Sequence, residues 1–109
     1  MESLALRYFL NNISGFKDEL YCVVLFGSLA RNECRPDSDI DLLLVTKKYN
    51  SEIHNRLLEM AEKAMELADY EELLAPHVIS LEHFEAIKEA KSDFYKIITV
   101  EGKELWKAA

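Results

Sequence analysis

Glycine and proline are scarce in this chain, three and two residues, and cysteine and histidine number only two and three. So little glycine and proline leaves no obvious linker, and 109 residues is the length of one domain. Neither cysteine has a Cys or His neighbour at zinc-ligand spacing. Spacing alone leaves a Cys22–Cys34 disulfide open, and two reduced thiols are expected in a cytosolic chain. Long apolar runs are missing as well. Runs such as Leu42–Val45 fall far short of the ~20 residues a membrane helix needs. The opening Met1-Glu2-Ser3 carries an acid where a signal peptide carries positive charge. A soluble, cytoplasmic protein is the expectation.

Basic residues are the minority, 13 Lys and Arg against 20 Asp and Glu, for a formal charge of −7. Residues 59–72 concentrate the excess: Glu59, Glu62, Glu66, Asp69, Glu71 and Glu72 stand against Lys63 alone. Such a surface repels phosphate backbones, so a large nucleic acid is a disfavoured partner. A solvated helix face is the preferred reading of this run, and contact with a basic protein is the other. What the chain has in quantity is hydrophobic residues, half of the total, enough for one modest core and too many for a disordered chain.

No internal repeat or low-complexity segment appears. Residues 3–13 place Leu6, Phe9, Leu10 and Ile13 at helical spacing. Tyr21–Phe26 is a short β-forming run closed by Gly27, and Ser28-Leu29-Ala30-Arg31 reads as a helical turn capped by Ser28. Residues 32–38, with Pro36 and Asp37, form a loop. Ile40–Thr46 is a second strand whose unbroken apolar centre requires cover on both faces. A long amphipathic helix is expected from Ser51, its presumed cap, to about Tyr70. Glu71 and Glu72 fall at its end. Leu73–Ser80 is a third strand, in which Pro76 suggests an edge position or a strand start. Helices over 81–90 and 92–100 follow, with Ser80 or Ser92 as caps, and Gly102 stops the last. Lys103–Lys107 has the pattern of a short final strand. This order of elements describes an α/β fold, a small mixed β-sheet with helices packed against it. An edge strand and an acidic face permit a homo-oligomer without demanding one.

The chemistry lies in Phe26–Leu42, FGSLARNECRPDSDIDL. Asp39 and Asp41 are two apart on a strand, so they share a face at about 6.6 Å between Cα atoms. Carboxylates that close repel unless a cation joins them, and a hard ion such as Mg²⁺, completed by substrate phosphates, suits them. For an isolated Asp-x-Asp, two solvated acids would be the better reading. The preceding Gly-Ser alters the balance. Gly27 lets a phosphate approach the backbone, and Ser28 opens a helical turn whose free N–H groups favour an anion. Together the two features put an anion site and a metal site on neighbouring strand ends.

FGSLARNECRPDSDIDLLL closely resembles the signature of the polymerase-β-like nucleotidyltransferases, and Ser28-x-Ala30-Arg31 with Arg35-Pro36-Asp37-Ser38-Asp39 resembles their minimal class, MNT. The resemblance implies the polymerase-β palm-like fold. It implies that Gly27 and Ser28 grip the β and γ phosphates of a nucleoside triphosphate, expected to be ATP, and that Asp39 and Asp41 are catalytic and bind Mg²⁺. Arg31 is implied as a phosphate contact, although it suits a surface position equally. Arg35 is read as pinning the loop through Asp37, Asp37 as a turn former and Ser38 as shaping the entry to the strand. A hydroxyl of a protein or small molecule would receive the nucleotidyl group. Minimal members of this resemblance are commonly paired with a small helical HEPN partner as a toxin–antitoxin system, the transferase modifying a tyrosine of the toxin.

One part of the pattern is missing. Polymerase-like members carry a third carboxylate on a later strand, and Leu73-Leu74-Ala75-Pro76-His77-Val78-Ile79 has none. His77 could face the site as a base or ligand, or be a packed, half-exposed strand residue, which is the preferred reading. His54 and His83 are assigned to the surface, and Phe94, Tyr95 and Trp106 to the core or a docking face. Two functions stand side by side: a metal-dependent nucleotidyltransferase, and a nucleotide-binding antitoxin or regulatory subunit that acts by partner contact. Haloacid-dehalogenase-type phosphatase chemistry also uses Asp-x-Asp but places its acids after the hydrophobic strand, and here the strand follows them.

Overall fold

A computed structural model describes residues 3–27 and 39–108. Helix α1 (Leu4–Asn12) runs into a single 3₁₀ turn (Ile13–Phe16) and then strand β1 (Leu20–Phe26). Strand β2 (Ile40–Thr46), helix α2 (Ser51–Leu67) and strand β3 (Leu74–Ser80) follow. Helices α3 (Leu81–Glu89) and α4 (Asp93–Glu101) precede strand β4 (Lys103–Lys107). Among the described residues the strands make one sheet in the order β3-β2-β1-β4. β1 is antiparallel to both β2 and β4, whereas β2 and β3 are parallel. α2 therefore serves as the crossover that a parallel pair requires. The expected mixed α/β sheet is present, and the strand containing Pro76 does lie at an edge, where a missing N–H costs the ladder least.

Helices cover both faces of the sheet. On one face α1 and α2 bury Phe9, Leu57 and Ala61 against Leu20, Val23, Leu25, Leu42 and Leu44. On the other, Ile98 of α4 closes over Cys22, Val24, Phe26, Leu43 and Val45, with Phe84 and Phe94 packed against them. Leu42, Leu43, Leu44 and Val45 are all 0% exposed, the condition their unbroken apolar run demanded. A β-bulge between Leu20 and Cys22 shifts the alternation of β1, which is why Leu20 and Val23 share a face.

Side-chain caps fix the helix ends. Ser3 Oγ accepts from the Leu6 amide at 3.1 Å, Ser80 from His83 at 3.1 Å and Ser92 from Tyr95 at 3.1 Å. At α2 the cap is Asn50, not Ser51: its Oδ1 accepts from Glu52 and Ile53, at 2.9 and 3.2 Å. A carboxamide one residue earlier leaves Ser51 inside the first turn. The far end of α2 also differs from expectation. The helix stops at Leu67, and Asp69 and Tyr70 take positive φ of 53° and 58°, which breaks the ladder before the strand. Glu72 is thereby carried past the helix to α1, where its Oε1 accepts from the Ala5 amide at 3.1 Å. Gly102 does end α4: a Cβ there would meet the Ile98 carbonyl and sit 2.7 Å from Val24 Cγ1. Among the described residues no helix is long and apolar enough to cross a membrane.

Candidate active site

Because β1 and β2 are antiparallel, the end of one lies beside the start of the other, and Phe26 pairs with Asp41. That register brings Gly27, which follows β1, to the Asp-x-Asp that opens β2. Gly27 turns with φ of +80°, and a Cβ built on it would fall onto Asp41 Oδ2. Glycine is thus required twice over, by a backbone conformation that L side chains rarely adopt and by the carboxylate occupying the space a methyl would need. Asp41 is held against the main chain at Gly27.

Asp41 shares its face with Leu43 and Val45, so it stands on the α3–α4 side of the sheet. Its side chain is 31% exposed. Asp39 precedes β2 and is exposed. The parallel partner β3 sets Ala75 beside Asp41 and His77 beside Leu43. His77 is half-exposed, as expected of a strand histidine, and it also faces the site: its Nε2 lies 3.8 Å from Asp41 Oδ1. The His77 ring packs 5.5 Å from Phe26 and 6.4 Å from Phe94, and Phe26 meets Phe94 edge-on at 5.5 Å. An aromatic floor from three elements therefore flanks the carboxylate. No linear pattern flagged Phe94 as a neighbour of the site, whereas Phe26 opens the motif itself. A polar residue in an otherwise apolar edge strand was the available signal for His77.

Ser28, Arg31, Arg35, Asp37, Ser38 and Cys34, and the helical turn and loop that contain them, lie outside the described residues. His54 is partly exposed on α2 and His83 is exposed on α3. A cleft of about 600 Å³ lined by Tyr8, Phe16, Arg56, Met60 and Glu66 opens on the α1–α2 side, the opposite face from Asp41, and contains no residue of the acidic motif.

The donor set fits a divalent cation. Two carboxylates stand two residues apart at the entrance to β2, and one of them, Asp41, occupies the space that a side chain on Gly27 would need. Among the described residues no three His, Cys, Asp or Glu side chains converge to hold a metal. Asp39 is therefore not closed into a triad with Asp41 and His77. A cation that retains water and takes phosphate oxygens, as Mg²⁺ does, needs only one or two carboxylates from the protein.

A family model for the nucleotidyltransferase domain matches residues 10–105. The chain belongs to the nucleotidyltransferase domain family. Solved structures agree with this at the level of fold. This nucleotidyltransferase domain is similar to a chain of a toxin–antitoxin crystallised with AMP-PNP, with a TM-score of 0.61, 19% identity, and cover of 94% of this chain and 73% of the other. A mutant of the toxin–antitoxin MntA–HpeT gives 0.55 and 18%, covering 94% and 70%. The tri-AMPylated Shewanella oneidensis HEPN toxin in complex with MNT antitoxin gives 0.50 and 18%, covering 95% and 73%. No curated protein matches the sequence.

Proposed function

We propose that this domain moves a nucleoside monophosphate, AMP in the leading case, from a nucleoside triphosphate to a protein hydroxyl, and that it works in the cytoplasm as the antitoxin of a HEPN–MNT pair. The observation that carries the reading is the seating of Asp41 against Gly27, which joins the two halves of the motif at one sheet end. Similarity to one complex crystallised with AMP-PNP and to another that holds a tri-AMPylated HEPN toxin supports the choice of nucleotide and partner class.

In this scheme the Gly27 backbone and Ser28 receive the β and γ phosphates, with Arg31 as a further phosphate contact. Asp39 and Asp41 hold Mg²⁺. When bound, the ion neutralises phosphate charge and polarises the reacting P–O bonds. The acceptor hydroxyl forms a bond to the α-phosphorus as the bond to pyrophosphate breaks, and its proton passes to solvent. Positioning and charge neutralisation are most of what such a transfer requires of the protein.

The test is transfer of label from α-labelled ATP, with Mg²⁺, to a HEPN partner encoded beside this chain. Asp39→Asn and Asp41→Asn should each lower the rate by roughly 10²–10³-fold, the scale for losing one preorganised electrostatic group. Tight partner binding that survives both changes, with no label transferred, would replace this reading with the nucleotide-binding antitoxin that acts by contact.

A further inference from the structure

The imidazole beside Asp41 occupies the place where a third acid would be expected and is absent. Along β3, from Leu74 to Ser80, no residue is acidic, and the direct cross-strand neighbour of Asp41 is Ala75, which has no ligating atom. The next side chain on β3 that shares the face of Asp41 is His77. Its Nε2 approaches Oδ1 to 3.8 Å, which exceeds hydrogen-bond length. Two donor atoms that each contact one ion at about 2.1 Å span up to about 4.2 Å, so the gap is one that a shared cation can close.

We infer that His77 is a nitrogen ligand of the cation held at Asp41, and that it shifts the site's preference from Mg²⁺ toward a first-row transition ion of the Co²⁺ and Zn²⁺ class. The inference rests on the reading of Asp41 as a metal-binding residue. Three features of the corner support it. Packing against Phe26 and Phe94 restricts the imidazole ring, so little side-chain freedom is lost on ligation. The His77 side chain keeps 48% of its surface exposed, so the ring is not sealed in the core. Imidazole nitrogen suits borderline transition ions, whereas Mg²⁺ prefers oxygen and sheds its water reluctantly.

The test is metal binding by the full chain without nucleotide, by calorimetric titration with Co²⁺ and separately with Mg²⁺, together with NMR of the histidine side chains. Co²⁺ should shift or broaden the His77 resonances before those of His54 and His83. His77→Ala and the size-conserving His77→Gln should each weaken Co²⁺ about tenfold or more and change Mg²⁺ by less than about threefold, with melting temperatures near the parent's. Loss of a supporting metal-site group typically costs 10–100-fold. His77→Asp should reverse the order by strengthening Mg²⁺. Unchanged Co²⁺ affinity in His77→Ala, or Co²⁺ that perturbs His54 or His83 first, overturns the assignment. Metal binding through His77 in a protein that transfers no label retains the ligand and removes the transferase. Label transfer with His77 untouched by metal does the opposite.

Discussion

Gly27 and Asp41 are held so close that the glycine's missing side chain is the space the carboxylate occupies. Cross-strand pairing of Phe26 with Asp41 enforces this contact, and Gly27 itself takes a positive φ of 80°. The Gly-Ser and Asp-x-Asp halves of the motif are consequently one physical unit.

Gly27→Ala should therefore damage both the fold and the site. A residue forced into the left-handed region costs about 1–3 kcal/mol, and the new methyl must also displace Asp41. Urea unfolding should show a loss of at least that size, and divalent-ion affinity measured by calorimetry should fall with it. Retention of full stability would mean that the turn relaxes freely and that the contact does not constrain Asp41.

Cys22 gives a dependence on pH. It is buried, and that burial, reinforced by the negative charge of Glu104, pushes its thiol up to about 11. In the unfolded chain a thiol titrates near pH ~8.5. The fold thus binds this proton more tightly than the unfolded chain does. The associated stability is complete below the unfolded value and is lost as pH rises toward 11. In a Cys34→Ser background, stability should decline over that window, and Cys22→Ala should remove part of the slope. At pH 8 the native thiol should react slowly with a disulfide reagent and rapidly after denaturation.

Glu72 ties the turn after α2 to the start of α1 by accepting from the Ala5 amide. Glu72→Ala leaves that donor without its partner and should cost about 1 kcal/mol. Glu72→Gln keeps an acceptor oxygen and should retain most of it. Thermal melts of the two variants, followed by circular dichroism, check the ordering.

Neighbouring leucines on α2 separate burial from helix propensity. Leu57 is fully buried in the α1–α2 core, and Leu58 beside it is exposed. Leu57→Ala should cost about 2–5 kcal/mol by loss of contact and the cavity left behind. Leu58→Ala, off the core, should stay within ~0.5 kcal/mol, the usual range for a surface change. Chemical denaturation of the pair is the measurement, and similar losses would refute the assignment of the two faces.

Most of the architecture was legible because each element carries its own local signal. Apolar periodicity marks α1 and α2, the uninterrupted Leu42–Val45 marks a strand covered on both sides, and Ser80, Ser92 and Gly102 mark helix limits. The misreadings are local competitions between adjacent residues. Asn50 displaced Ser51 as the cap of α2, and a pair of left-handed residues ended that helix before Tyr70. Neither outcome follows from residue type, since both residues at each position are chemically able.

The spacing within Phe26–Leu42 by itself determined that a glycine turn and two acids belong to adjacent strand ends, because strand periodicity and a short connection leave the chain few alternatives. Only the tertiary structure decided what stands beside them. His77 reaches Asp41 through the parallel register of β2 with β3 across the long α2 crossover, and Phe94 arrives from a helix on the far side of β3 in sequence. Contacts between residues so distant along the chain depend on strand order and register, and those are set by burying both faces of the sheet at once. No local pattern encodes that condition.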